Sequence, residues 1–234
     1  MRSWQKSLAA AAVLLLPASQ ALAEEPLLWG FRAEQFEYRV NPNDNLLAWD
    51  FDAFVGKDEL RFVWRSEAEY VINDGAFERL ENQFRLQTPI SDFFDAVAGV
   101  RVDTPDGPNR VFGVLGVHGL APQWFEVDVD LFVSEDPVFR FEGEYELLIT
   151  NRITLIPNVE FDLPFTDDPE LGISALGPRL ETGARISYDL VDRLISPYIG
   201  VNYERVFAGT ADMARLEGED VDGVFFVVGT RILF

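Results

Sequence analysis

Hydrophobic and polar side chains alternate along almost the whole of this 234-residue chain. In residues 59–72, for example, the apolar side chains of Leu60 and Phe62 alternate with the charged side chains of Glu59 and Arg61. Successive side chains of a β-strand point to opposite faces, so a period of two predicts strands with one apolar and one polar face. Helical periodicity is hard to find. The pattern therefore predicts an all-β chain.

About twelve alternating segments follow one another, each roughly ten residues long and bounded by turn-forming residues. The predicted strands are 31–40, 46–55, 59–72, 77–88, 93–103, 110–120, 124–133, 138–149, 153–163, 178–190, 197–207 and 224–234. Connections after even-numbered strands are short. Those after odd-numbered strands include turns at Asn41-Pro42-Asn43-Asp44 and Asp106-Gly107-Pro108 and two long loops, 164–177 and 208–223. This asymmetry is typical of outer-membrane barrels, so the predicted fold class is an up-and-down antiparallel transmembrane β-barrel of about twelve strands.

The N-terminus has the features of a secretory signal peptide. Arg2 and Lys6 precede an apolar stretch at 8–16, and Ala21-Leu22-Ala23 fits the small-residue cleavage site of such a peptide. The apolar stretch is too short to span a bilayer, and no later segment has the run of apolar residues that a transmembrane helix needs. We therefore predict a cleaved signal peptide at 1–23.

The chain ends on an alternating strand whose last residue is Phe234. A terminal aromatic strand behind a secretory signal resembles the closing strand of bacterial outer-membrane barrels, which the barrel-assembly machinery recognises. We therefore predict that residues 24–234 form one barrel in the outer membrane, with that machinery, membrane lipid and lipopolysaccharide as partners. Aromatic residues near strand ends are expected to form girdles at the membrane interfaces. They are Trp29, Trp49, Trp64, Trp124, Tyr188 and Tyr198.

Charge and composition exclude several classes of function. The formal net charge is −21 and the isoelectric point is near 4.3. Nucleic acid is therefore not an expected partner, because its phosphates would be repelled. There is no cysteine, which excludes disulfides and thiolate metal sites. Cations, basic partners and cation-bridged lipopolysaccharide remain as candidate ligands.

The predicted hairpin of strands seven and eight concentrates negative charge on one face. Cross-strand pairing brings together six carboxylates, those of Glu126, Asp128, Asp130, Glu142, Glu144 and Glu146. Like charges opposite each other are destabilising, so this wall needs compensation. Two interpretations remain open: arginines pair with the carboxylates across the lumen, or the wall holds a cation, since oxygen ligands suit hard divalent ions and also bind Cu(II). The predicted inward arginines are Arg61, Arg65, Arg79, Arg85, Arg101, Arg179 and Arg185.

Long stretches of the chain match a known family. They include GVLGVHGLAPQWFEVDVDLFVSED at 113–136, EGEYELLITNRITLIPNVEFDL at 142–163 and SPYIGVNYERVFAGTADMAR at 196–215. These stretches resemble the copper resistance protein B family (CopB) of outer-membrane proteins. The resemblance implies a copper-handling role, in which the protein binds or sequesters copper, with a periplasmic copper protein as a candidate partner. Many members carry a Met- and His-rich segment between signal peptide and barrel, whereas this sequence has only Met213 and His118 after residue 23.

Any metal site here is predicted to be rich in carboxylates, because the sequence offers one imidazole and no thiolate. The candidate copper ligands are His118, Glu126, Asp128, Asp130, Glu142 and Glu144. The face of His118 is ambiguous, since Gly116 and Gly119 flank it and both sides of its strand are mostly apolar. No serine or cysteine nucleophile pairs with His118 at readable spacing, so we predict that the protein is not an enzyme. An alternative function remains open, a cation-selective or structural outer-membrane barrel without copper specificity.

Overall fold

The computed structural model describes residues 26–42, 45–104 and 109–234. The predicted signal peptide at 1–23 and the centres of the predicted turns, Asn43-Asp44 and Asp106-Gly107-Pro108, lie outside the described residues. Twelve strands are present in the described part of the chain. They are β1 (Leu28–Val40), β2 (Asn45–Lys57), β3 (Leu60–Val71), β4 (Ala76–Pro89), β5 (Phe94–Asp103), β6 (Arg110–Ala121), β7 (Phe125–Val133), β8 (Val138–Glu144, resumed at Leu147–Leu148), β9 (Ile153–Pro164), β10 (Arg179–Tyr188), β11 (Ile195–Val206) and β12 (Asp222–Leu233).

These strands form one closed antiparallel barrel. Each strand pairs with its neighbours in sequence, and β1 also pairs with β12, where Arg32 lies opposite Leu233 and Val40 lies opposite Phe226. Closure gives both edges of the sheet a hydrogen-bonding partner, which a sheet in the hydrocarbon of a bilayer requires. The predicted up-and-down barrel of about twelve strands is confirmed.

The connections differ between the two ends of the barrel, as predicted. The end at which β1 begins and β12 ends has short turns only, such as the three residues between Ala121 and Phe125. At the opposite end, residues 165–178 join β9 to β10, and a helix, α1 (Ala208–Glu217), lies between β11 and β12. We refer to these as the short-turn end, predicted to be periplasmic, and the long-loop end, predicted to be external.

The structure differs from the sequence prediction at two places. The sequence predicts a loop at 208–223, whereas the structure has α1 there, built from good helix formers and ending at Gly218 in the left-handed conformation (φ 84°). The predicted strand 138–149 is interrupted after Glu144, beside Pro157 of β9, because proline has no N–H to complete the ladder. In the described part of the chain, no helix has the length and apolar character needed to cross a membrane.

The outside of the barrel is apolar and the inside is polar. Phe226 and Ile199 are 70% and 65% exposed, and large apolar side chains such as Phe62, Phe84 and Leu115 share this outer surface. Among the buried residues that the structure describes, charged and polar side chains outnumber apolar ones. This arrangement is the reverse of a soluble protein and is that of a barrel whose outer face contacts lipid.

The girdle prediction is wrong for Tyr198. Trp29 and Trp124 are exposed at the short-turn end, where a girdle would lie. Tyr198 instead shares the inward side of β11 with Ser196, and its hydroxyl donates a hydrogen bond to Oε2 of Glu37 at 2.8 Å. Alternation along β11 places Tyr198 inside, and the hydrogen bond satisfies its buried hydroxyl.

Part of the lumen is filled by apolar side chains. Val97, Phe112, Val114 and Phe132 from β5, β6 and β7 form a buried cluster inside the barrel. The guanidinium of Arg101 lies 4.3 Å from the centre of the Phe132 ring, a cation–π contact that joins this cluster to the charged residues around it. Apolar packing therefore fills the part of the lumen beside β5, β6 and β7.

Candidate metal site in the barrel lumen

Arginines cross the lumen to pair with carboxylates on the far wall. Arg65 of β3 lies 3.3 Å from Asp128 of β7 and 3.2 Å from Glu142 of β8. Arg79 of β4 lies 3.3 Å from Glu160 of β9. The structure therefore has the cross-lumen ion pairs of the first interpretation of the acidic wall.

Arg140 is the centre of the buried part of this network. Its side chain is 3% exposed, and its guanidinium lies 2.7 Å from Asp162, 3.2 Å from Glu67 and 3.4 Å from Glu81. The three carboxylates come from β9, which pairs with the strand of Arg140, and from the adjacent strands β3 and β4, so one arginine links two parts of the barrel that are distant in sequence. These charges are tolerated inside the barrel because each is paired.

Asp130 is held by Arg85, and a glycine makes room for it. The Asp130 carboxylate pairs with the Arg85 guanidinium, and both side chains are almost fully buried. Gly116 of β6 lies opposite Asp130 of β7, and a Cβ at Gly116 would overlap the carboxylate of Asp130. A residue without a side chain is therefore required at position 116.

We expect Gly116→Ala to lower the free energy of unfolding by about 1–3 kcal/mol, because the added methyl group displaces Asp130 from Arg85. Urea unfolding of the barrel refolded into lipid vesicles measures the change. Gly113→Ala on the same strand is the matched control, since a Cβ there meets its nearest neighbour at 3.7 Å, an ordinary contact. Equal losses in the two variants would contradict the prediction.

His118 points into the lumen, which the sequence left ambiguous. Its Nδ1 lies 3.0 Å from Oδ1 of Asp128, which is directly opposite on β7. A carboxylate accepts hydrogen bonds, so in the neutral imidazole the proton sits on Nδ1 and the lone pair on Nε2. Imidazoles that bind metals commonly have this carboxylate partner, which fixes the tautomer and aims the free nitrogen.

The free nitrogen of His118 faces a second carboxylate. Nε2 lies 3.9 Å from Oε1 of Glu126. Metal–nitrogen and metal–oxygen bonds are about 2.0–2.2 Å long, so an ion fits between these two atoms. Arg32 donates to the same Oε1 at 2.9 Å, and an ion would share this oxygen with Arg32 or use Oε2.

The other predicted ligands lie near this pair but are held by arginines. Glu144 lies opposite Glu126 in the β7–β8 ladder and accepts a hydrogen bond from Arg231 at 3.0 Å. Glu142 is bound by Arg65, and Asp130 is buried against Arg85. The structure thus brings His118, Glu126 and Asp128 into direct contact and places the other three around them. Metal binding by these six residues stays a prediction.

The sequence analysis did not identify a second group of carboxylates at the long-loop end. Within the described residues, ligand oxygens of Glu69, Glu181 and Glu204 lie within 4.8 Å of one another. Arg39 lies 3.0 Å from each of them, and Arg179 lies 3.0 Å from Glu204. The group is therefore compensated by arginines. Glu181 and Glu204 lie opposite each other in the β10–β11 ladder, whereas Glu69 comes from β3, and no local sequence pattern brings β3 to these two strands.

A cavity of about 90 Å³ connects the two ends of this network. It reaches from Glu69 and Glu181 near the long-loop end to Glu126 and Glu144 near the short-turn end. Ten carboxylates and four guanidinium groups line it, a formal excess of six negative charges. Arginines that do not line the cavity neutralise only part of this excess. Arg140, for example, pairs with Glu160 of the lining but also with Asp162, which is not part of the lining. Buried charge of one sign is costly unless counter-charges enter, so the cavity is suited to cations.

Comparison with protein families shows what this chain is similar to. Residues 27–234 match the family model described as copper resistance protein B precursor (CopB). The chain belongs to the copper resistance protein B family. The family resemblance noted from the sequence is therefore confirmed over nearly all of the barrel.

Two curated members of the copper resistance protein B family align with most of the chain. Copper resistance protein B of Escherichia coli is 34% identical over 203 residues, which are 86% of this chain and 68% of the relative. The copper resistance protein B homolog of Pseudomonas syringae pv. tomato (strain ATCC BAA-871 / DC3000) is 32% identical over 206 residues, 87% of this chain and 69% of the relative.

Solved structures show how this member of the copper resistance protein B family relates to other barrels. The NanC porin, in a rhombohedral crystal form, superposes with a TM-score of 0.54 at 13% identity, covering 88% of this chain and 99% of the porin. A structure from a study of in-meso crystallization of membrane proteins gives a TM-score of 0.53 at 10% identity. The superposition covers 88% of this chain and 83% of that structure. At these identities the likeness concerns the fold alone.

Proposed function

We propose that this chain is a non-catalytic outer-membrane copper-resistance protein that binds copper in the lumen of its barrel. Membership of the copper resistance protein B family supports the resistance role. The observation that carries the binding proposal is the geometry of His118, whose Nδ1 is fixed by Asp128 and whose Nε2 faces Glu126 across 3.9 Å. The negatively charged cavity beside this pair supports the entry of a cation.

The donor atoms favour Cu(II) over Cu(I). Cu(I) prefers thiolate and thioether ligands, whereas imidazole and carboxylate suit Cu(II). The chain has no cysteine, and Met213 lies on α1 at the long-loop end, far along the barrel from the short-turn end where His118 sits. Within the predicted ligand set, His118 supplies the one nitrogen, Glu126 an oxygen, and Asp128 the contact that orients the ring.

Burial favours copper exchange from the short-turn end. The side chains of His118 and Glu126 are 20% and 31% exposed, whereas Asp130 and Arg85, deeper in the lumen, are almost fully buried. A site with this gradient opens towards the end predicted to be periplasmic. The proposal therefore includes a periplasmic copper protein as the partner that delivers or receives the ion.

A Cu(II) titration of the barrel refolded in detergent, followed by electron paramagnetic resonance, tests the site. His118 is the one histidine in the sequence, so an imidazole nitrogen coupling in the copper spectrum identifies it. We expect His118→Asn to remove this coupling and to weaken Cu(II) binding by about 10- to 100-fold, as removal of a ligand or its orienting partner does. Met213→Leu is the control and should change neither. A wild-type spectrum without nitrogen coupling would contradict the proposal.

The second candidate function is a cation-selective barrel without copper specificity. The excess of carboxylates along the cavity favours it, because oxygen ligands accept many divalent ions. Competition with Ca(II) and Zn(II) in the same titration separates the two functions. If Ca(II) displaces Cu(II) at equal concentration and His118→Asn has no effect, the second function is correct.

A further inference from the structure

Arg32 of β1 contacts three carboxylates at the edge of the proposed copper site. Its Nε lies 2.9 Å from Oε1 of Glu34, its Nη2 lies 3.2 Å from Oδ2 of Asp52, and its Nη1 lies 2.9 Å from Oε1 of Glu126. Glu34 and Asp52 lie on β1 and on the adjacent strand β2, whereas Glu126 lies on β7. Arg32 therefore reaches across the lumen to the carboxylate that faces His118.

The Arg32 guanidinium and the proposed copper ion share one oxygen atom. Oε1 of Glu126 lies 2.9 Å from Nη1 of Arg32 and 3.9 Å from Nε2 of His118. A metal–oxygen bond is about 2.0–2.2 Å long, so an ion on this oxygen would lie within about 5 Å of Nη1. Two positive charges at this distance repel each other, and salt screens the repulsion only weakly inside a barrel. The ion and the guanidinium therefore compete for Glu126.

Arg32 can release Glu126 without losing its other partners. Its Nε and Nη2 are bound to Glu34 and Asp52, so two ion pairs remain when the contact with Glu126 is broken. The side chains of Arg32 and Glu126 are 30% and 31% exposed, so water reaches both groups. Exchange of the guanidinium for an ion therefore requires a movement of Arg32 and leaves the buried ion pairs deeper in the lumen intact.

We infer that Arg32 is the resident counter-charge of the copper site and lowers its affinity for Cu(II). This inference rests on the proposed copper function, because it concerns the affinity of the same site. In the empty barrel the guanidinium neutralises Glu126. When Cu(II) binds, the guanidinium retains Glu34 and Asp52 and gives up Glu126. A site weakened in this way releases its ion more readily, which suits transfer to a periplasmic partner.

The affinity of the refolded barrel for Cu(II), measured by titration with electron paramagnetic resonance, tests the inference. We expect Arg32→Gln and Arg32→Leu to bind Cu(II) at least about 10-fold more tightly than wild type, with the nitrogen coupling from His118 retained. A positive charge within about 4–6 Å changes the proton affinity of a carboxylate by about 10- to 1,000-fold, and the lower limit applies because Arg32 is partly exposed. Leucine cannot bind copper, so agreement between the two variants excludes coordination by the new side chain.

Two further variants are the controls. Arg193→Gln removes the same charge at the same end of the barrel, from a side chain that is 53% exposed and pairs with Glu146 and Asp189, neither of which is a predicted copper ligand. It measures the effect of net charge alone and should change the affinity little, because exposed charges are screened. Arg32→Lys keeps the positive charge and should bind Cu(II) about as weakly as wild type does.

Three results would overturn the inference and leave the copper proposal standing, provided that the wild type shows nitrogen coupling. The neutral variants at position 32 could bind Cu(II) no more tightly than Arg193→Gln, or they could bind it more weakly than wild type. Arg32→Lys could also gain as much affinity as Arg32→Gln, which would mean that shape matters and charge does not. A wild-type spectrum without nitrogen coupling would instead contradict the copper proposal and this inference together.

A double variant shows whether the gain in affinity belongs to the His118 site. Arg32→Gln combined with His118→Asn should bind Cu(II) no more tightly than His118→Asn alone, because the guanidinium acts on the ion that His118 holds. A gain that persists without His118 would place the tighter ion elsewhere and would also overturn the inference.

Discussion

Replacing Arg140 by glutamine is expected to lower the free energy of unfolding by about 3–5 kcal/mol, the usual loss when one partner of a buried ion pair is removed. The substitution leaves Glu67, Glu81 and Asp162 without a guanidinium that lies within 3.4 Å of each of them. Glu81 keeps Arg101 at 2.8 Å and Glu67 keeps Arg79 at 2.6 Å, whereas the ion pairs of the described residues give Asp162 no arginine other than Arg140. Urea unfolding in lipid vesicles, followed by tryptophan fluorescence, measures the loss.

The matched control for Arg140 is Arg193→Gln. Arg193 also pairs with a glutamate, at 3.3 Å from Glu146, but its side chain is 53% exposed in a turn at the short-turn end. Exposed ion pairs contribute about 0–1 kcal/mol, so this variant should unfold almost as the wild type does. If both variants lost equally little, the arginines of the lumen would not be what holds the carboxylate walls together.

Placing an arginine on the outside of the barrel is expected to cost about 2–4 kcal/mol in a bilayer, the penalty measured for arginine at the midplane of such barrels. Ile199→Arg is the variant of choice, because Ile199 is 65% exposed near the middle of β11 and pairs with Ile186 and Val228 on the neighbouring strands. The guanidinium must either lose its water in the hydrocarbon or carry water molecules into it, and both cost free energy. Unfolding in vesicles of defined thickness measures the cost.

Leu216→Arg is the control for the outer surface. Leu216 is 88% exposed on α1, at the long-loop end and outside the strands. A charge there stays in water, so the stability should change by less than about 0.5 kcal/mol, as for ordinary surface substitutions. A soluble barrel would tolerate Ile199→Arg equally well, and that result would contradict the membrane-spanning fold.

The alternation of side chains predicted the strands and the inside of several of them, and the unequal connections, the signal peptide and the terminal aromatic strand predicted the barrel. In β7, for example, Glu126, Asp128 and Asp130 fall on one side by period alone, and the hairpin with β8 fixes their neighbours Glu144, Glu142 and Arg140. The face of a side chain and its cross-strand neighbours are local properties here. Successive side chains of a strand point to opposite faces, and a short connection fixes the register of a hairpin. Twelve such strands with alternately short and long connections are typical of an up-and-down barrel.

Local pattern fails where both sides of a strand look alike. His118 lies among glycines and apolar residues, so the period of its own strand does not assign its face, and its hydrogen bond to Asp128 across the β6–β7 ladder shows that it faces the lumen. Tyr198 is similar, because a tyrosine suits a lipid interface as well as a hydrogen bond to Glu37. The helix α1 was not predicted from the sequence, because its ten residues have no clear apolar stripe and resemble a polar loop.

The sequence by itself determined the strands, their order, the acidic face of the β7–β8 hairpin and the family. Only the tertiary structure decided which arginine meets which carboxylate across the lumen, that Arg65 reaches Asp128 from 63 positions away, and that Glu69, Glu181 and Glu204 converge. Periodicity assigns a side chain to a face of the sheet. Which residues face that side chain across the lumen depends on how the barrel closes and on the stagger of its strands, and both depend on all twelve strands together.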